Sequence, residues 1–224
     1  MSLTPSWCKR ERFSKVSLKG QTMGHLLGLS EYLDEAYHVS VFDQALSSKQ
    51  TWEFHLHNHR IVKAEVIENL KYDVKIKIHG ETEEVLPKVN IKLIYPAEQS
   101  DPGRQLLKTD KKVKGLGLEP ISSPKDRYHI KNKTLFPLMK ERDVVFFTLL
   151  EGEIIRGIIA GFSRYDITIS LKGELPLTIM RHSIYDLRDK KGRCFLKSAQ
   201  EKLRDWEKSD LFVPLSPPQK NQVL

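Results

Sequence analysis

Two phrases ninety-three residues apart constrain this chain more than any other feature: KYDVKIKIHG at 71–80 and RYDITISLKG at 164–173. Setting residues 52–94 against 145–187 without a gap gives nine identities: Phe54/Phe147, Leu56/Leu149, Ile61/Ile154, Tyr72/Tyr165, Asp73/Asp166, Ile76/Ile169, Gly80/Gly173, Glu81/Glu174 and Ile91/Ile184. Other positions exchange within type, among them Val62/Ile155, Lys63/Arg156, Ala64/Gly157, Leu86/Ile179 and Lys88/Arg181. The apolar positions stay in phase throughout. The fold must therefore be one that a chain can build twice.

Each copy has the same grammar. WEFHLHN and VVFFTLLEG begin it with residues suited to strands and end in a turn. RIVKAEVIENL and EIIRGIIAGF read as long second strands, and Ala64 or Gly157 at their centres suits a sharp bend. YDVKIKIHG and YDITISLKG alternate apolar and polar residues and stop at glycine. Two short strands follow, near 83–88 and 90–94 and near 176–181 and 183–187. This predicts a mainly β protein with short helices (α+β), made of two small, strongly twisted five-stranded barrels. A short helix is expected before each barrel. TLFPLMKERD supplies one, with Thr134 as N-cap and Pro137 in its first turn, while LSEYLDEAYH and FDQALSSK compete for the other.

The same reading divides the chain into a basic arm (1–28), a first unit (29–96), a flexible basic linker (97–130), a second unit (131–190) and a C-terminal helix with a tail (191–224). The formal net charge is +8, and the excess gathers in the arm and linker rather than in the repeats. Such segments can track phosphates without fixed geometry, so nucleic acid is the expected partner. The first residues lack the apolar run of a secretory signal, and no stretch reaches the length of a membrane span. Cys8 and Cys194 lie far apart in no CxxC arrangement, which supports neither a zinc site nor a disulfide framework and fits a reducing cytoplasm. GxSxG, P-loop and HExxH patterns are absent, so no enzyme is expected.

The second copy resembles a known family. ERDVVFFTLLEGEIIRGIIAGF is similar to the first half of an Hfq-type Sm-like domain, and MRHSI to the Lys-His segment of its last two strands. The resemblance covers about 134–188, and the first copy joins it through the repeat, with Lys88-Val89 at the place of Arg181-His182. It implies two Sm-like (SH3-like) barrels in tandem, binding of single-stranded U-rich or A-rich RNA, post-transcriptional regulation in a bacterial cytoplasm, and no cofactor. It also implies a ring in which the fourth strand of one unit pairs with the fifth of the next, here three chains forming a pseudo-hexamer.

The implied RNA contacts are Tyr165 as stacking ring with Arg164 beside it, and Arg181 and His182 for the basic residue and histidine. Lys140 and Arg142 form a basic rim, and Gly152, Arg156 and Gly157 belong to the opposite face. Arg181-His182 lies about two residues later than the family spacing, so Phe162 or Tyr165 fills the aromatic place; the ungapped path reaches Tyr165. Lys71, Tyr72 and Lys88 would form a degraded second site. Base stacking on an aromatic ring beside basic groups is the chemistry that single strands need. Asp73 and Asp166 are expected to hold backbone amides where the third strand starts. HLHNH puts His55, His57 and His59 on one strand face, and alternate histidines can chelate zinc or nickel. But His59 lies at or beyond the turn and no nearby carboxylate or cysteine completes a set, so that face is expected to be polar and solvated. His59 stands where the second copy has glycine, which suggests a different turn.

Overall fold

In a computed structural model of the chain, residues 24–78 and 82–215 are described. The basic arm up to residue 23, the Gly80 turn with Glu81, Cys8 and the tail from residue 216 lie outside them. The elements in order are β1 (Gly24–Leu26), α1 (Leu29–Ala36), α2 (Val41–Ser48), β2 (Thr51–Leu56), β3 (Ile61–Asn69), β4 (Asp73–Ile78), β5 (Glu83–Pro87), β6 (Ile91–Pro96), α3 (Ser100–Leu106), β7 (Lys108–Thr109), α4 (Lys111–Lys114), α5 (Asn132–Lys140), β8 (Val144–Leu149), β9 (Glu153–Phe162), β10 (Asp166–Ser170), β11 (Pro176–Met180), β12 (Ile184–Asp189), α6 (Lys197–Leu203) and β13 (Phe212–Pro214). The protein is mainly β with short helices.

Ten strands run in one antiparallel sheet in the order β12-β8-β9-β10-β11-β6-β2-β3-β4-β5, with β7 paired to β9 at the side. The two copies keep one internal order, fifth-first-second-third-fourth, and meet where β11 pairs with β6. Among the described residues no sheet is closed on itself. The apolar alternation read from the sequence is what the strands bury: Val62, Ala64 and Val66 of β3 and Val74 and Ile76 of β4 turn into one core, as do Ile167 and Ile169 of β10 into the other.

The bend in the second strand has a visible cause. Ala64 is buried, and at Gly157 an added methyl would sit 2.4 Å from Ile169 Cγ2 and 2.5 Å from the Ser170 carbonyl oxygen. A register shift between Thr168 and Ile169 lies opposite, and its counterpart in the first copy falls between Val66 and Glu68. Gly157→Ala should therefore cost about 1–3 kcal/mol of stability, the usual penalty for overpacking a tight site. Urea unfolding would measure it, and a variant as stable as the parent would refute the close approach.

Both candidate first helices exist, but they serve different cores. Ser40 caps α2 in a capping box with Asp43, and Val41, Phe42 and Ala45 pack on the first copy. Leu29 of α1 joins the core of the second copy, and the Tyr32 hydroxyl both donates to the Phe162 carbonyl (2.8 Å) and accepts its N–H (2.7 Å). Helix α5 begins two residues before the expected cap: Lys131 is its N-cap, and Thr134 is buried inside it.

The stretch 97–130, expected as a flexible linker, is corrected by the structure. It carries α3, β7 and α4, and Val113 of α4 is fully buried against Leu150 and Tyr185. A turn at Gly152 (φ +89°) receives it. Gly152 accepts the Asp110 N–H at 2.7 Å, and a side chain there would meet the Asp110 carbonyl oxygen at 2.7 Å. Among the described residues no helix is long and apolar enough to cross a membrane.

Candidate nucleic-acid interface and the seam between copies

The Tyr-Asp phrase puts each tyrosine one residue before its third strand. Tyr72 is 72% exposed and Tyr165 is 55% exposed, although both are large rings in a well-packed protein. In each copy the preceding basic side chain lies over the ring: Lys71 Nζ is 5.2 Å from the Tyr72 centroid and the Arg164 guanidinium 5.8 Å from that of Tyr165. Phe162, the other aromatic candidate, is buried beneath Arg181.

The two aspartates separate in role. Asp73 pairs through the backbone, its carbonyl accepting the Leu70 N–H at 3.1 Å. Asp166 is buried. Its carboxylate accepts the Ser163 hydroxyl (2.7 Å) and the N–H of Val41 (2.9 Å), tying helix α2 of the first copy to the tyrosine loop of the second. Ser163 Oγ in turn accepts the N–H groups of Tyr165 and Asp166, which fixes the loop under the ring.

The remaining expected contacts scatter. Arg181 is bonded through its backbone N–H to the Tyr165 carbonyl (2.9 Å), but its guanidinium turns inward to Asn132 (3.1 Å) and the Phe162 ring. His182 is buried in the seam, where Nε2 donates to the Ile91 carbonyl at 2.9 Å. Burial first, then Arg127 and His57 nearby, hold its pKa down at about 4. Beside it Ser183 Oγ donates to the Lys92 carbonyl at 2.9 Å. Lys140 and Arg142 are exposed at the end of α5, and Arg156 is exposed beside Phe146. Gly152 lies under α4 and Gly157 inside the strand bend, so both act on packing. In the first copy Lys88 donates to the Leu70 carbonyl and sits 5.4 Å from the Phe42 ring, away from the Lys71–Tyr72 pair.

At the seam Thr178 pairs with Ile94 and Ile179 with Leu93. The positions equivalent to Leu93 and Ile94 in the second copy are Asp186 and Leu187. There the same edge is taken up within the chain: the Leu187 carbonyl accepts the Phe195 N–H (2.9 Å), and the Leu187 N–H donates to the Asp186 carboxylate (2.9 Å). Residues 193–195 thus lie where a neighbouring fourth strand would dock. Strand β5, at the opposite end, carries no strand on its outer edge among the described residues.

The face of β2 that was expected to be solvated is buried, and this too is a correction. Glu53 is fully buried. It is held by Arg104 of α3 in a two-point contact (2.8 and 2.6 Å), by the Tyr95 hydroxyl and by His55 (2.9 Å). Burial alone would raise its pKa, but Arg104, Tyr95, Ser100 and His55 together hold it at about 2. His57 lies against the second copy, its Nδ1 3.8 Å from Glu151. Burial, then Lys92 and His59, lower its pKa to about 4. His59 adopts the left-handed conformation of its counterpart Gly152 (φ +60° against +89°), so the two turns match rather than differ.

Comparison with models of protein families, with curated proteins and with solved structures returned no match.

Proposed function

We propose that this chain is a single-stranded RNA-binding protein of Hfq/Sm-like type, its two five-stranded units being Sm-like barrels that present one stacking platform each. The observation that carries the reading is the duplicated pair of an exposed tyrosine under a basic side chain, Lys71–Tyr72 and Arg164–Tyr165. An exposed ring of this size has no packing role, and a base can stack on it while the cation meets phosphate. Lys140, Arg142 and Arg156 add exposed positive charge to the second unit. Arg181 and His182 belong to this proposal only as supports of the loop and seam.

The covered edge at Leu187 favours a pair of units completed within one chain over the trimeric ring. A ring needs both end strands open, and residues 193–195 occupy one of them. Two measurements on the purified protein test these statements. Short U-rich or A-rich oligonucleotides should bind, with affinity falling as salt rises; if neither binds at moderate salt, the RNA reading fails. Light scattering should give the mass of one chain, and three chains would restore the ring.

One observation favours a second reading, a protein-interaction scaffold on the same fold. Arg181, His182 and the Gly152 turn, which the resemblance assigns to RNA, are all spent on internal packing. Failure of both oligonucleotides with an intact fold would be the result that selects it.

A further inference from the structure

The turn after β2 and the turn between β8 and β9 face each other across the seam, and the side chains between them are not of the kind that packing selects. His57 is only 8% exposed, yet among the described residues neither of its ring nitrogens has a hydrogen-bond partner. Its Nδ1 is aimed at Glu151 Oε1 at 3.8 Å, while His59 Nδ1 approaches Glu151 Oε2 at 3.2 Å. The ligating atoms of His59, Glu151 and Glu153 all lie within 4.8 Å of one another. Lys92 is buried and bonds one oxygen of each glutamate, and Glu153 Oε2 has no hydrogen-bond partner among the described residues.

We infer that His57, His59 and Glu151 form a site for one divalent metal ion of the zinc class, with Lys92 and Glu153 orienting the carboxylate. Two imidazoles and one carboxylate are a recurrent zinc donor set. Bonds of about 2.0–2.2 Å in tetrahedral array put neighbouring donor atoms about 3.4 Å apart. His57 Nδ1 lies 3.8 Å from Glu151 Oε1 and His59 Nδ1 3.2 Å from Oε2, so His59 turns toward Oε1 to share one ion with His57. Two glutamates against one lysine leave a single net negative charge for the cation. His59, whose side chain is 65% exposed, gives the ion access and can swing inward. Lys92 bonds Glu151 through Oε2, the oxygen that faces His59, and leaves Oε1, the oxygen that faces His57, for the ion. Lys92 supplies the hydrogen bond that holds the Glu151 carboxylate in place as a ligand. His57 and His59 come from the first copy and Glu151 from the second, so the ion would fasten the seam.

The test uses the full chain stripped with a chelator and titrated with Zn²⁺ by calorimetry and with Co²⁺ by visible absorption. Expected are one ion per chain, cobalt bands of a low-coordinate nitrogen and oxygen site, and a melting temperature that rises with zinc. His59→Ala should weaken zinc at least tenfold, in line with the loss of a ligand or its support, and leave melting of the metal-free chain unchanged. His57→Leu should abolish the cobalt bands while the metal-free chain melts at the parental temperature or above, since a partnerless polar group has been removed. No zinc binding by the parent, or parental binding by both variants, would overturn the site.

Discussion

Arg104→Met should lower stability at neutral pH by about 1–3 kcal/mol, the cost of leaving a buried acceptor unsatisfied, because the Arg104 side chain is itself 43% exposed and solvent screens the pair. Glu53 is fully buried, and Arg104 supplies both its closest charged contacts. Without the guanidinium the carboxylate keeps the Tyr95 hydroxyl, Ser100, His55 and a distant Lys63 at 3.8 Å. Adding Glu53→Gln should restore part of the loss, because the uncompensated charge is then gone; chemical unfolding of the two variants measures both steps. The pH dependence follows from the sign of the shift. Glu53 has its folded pKa lowered from 4.5 to about 2, so it stabilises fully above pH 4.5 and loses that contribution as pH falls toward 2. Arg104→Met should flatten the stability profile in that window, and an unchanged acid limb would show that the pair contributes nothing.

The second large effect concerns the tyrosines. Tyr165→Ala and Tyr72→Ala should each weaken oligonucleotide binding by about 1–3 kcal/mol, the usual worth of one stacked base. Because the rings lie in separate copies, the double variant should lose about the sum. Stability should barely move, since both side chains are exposed. Phenylalanine at either place should bind nearly as the parent, which separates stacking from a hydroxyl contact. Parental affinity in the double variant would remove the platforms from the interface. A loss confined to Tyr165 would make the first unit a silent copy.

Much of the fold was legible because it rests on periodicities that a strand cannot hide. The alternation in 73–78 and 166–170, the small residues at Ala64 and Gly157, and the tyrosines before the third strands can all be read without a structure. The seam could not be. Which edge of one copy meets which edge of the other depends on backbone groups that every residue carries alike, and the only sequence trace is Asp186 standing where the first copy has Leu93.

The HLHNH stretch misled for a related reason. Polar alternation marks a solvated face only if nothing else covers it. Here the cover comes from Arg104, 51 residues from Glu53, and from Glu151 on the other copy. The stretch 97–130 looked like a tether because its helices of seven and four residues are too short to show a period.

The seam also decides what kind of unit this protein is. Leu93 and Tyr95 of the first copy sit in the core of the second, and Met180 of the second sits in the core of the first. Helix α1 and the ribbon of β1 with β13 extend that exchange to both ends of the described chain. Each half has lent the other part of its interior, so neither could be excised and keep a complete core. The duplication has become indivisible, and whatever spacing separates Tyr72 from Tyr165 is as rigid as a strand pairing can make it.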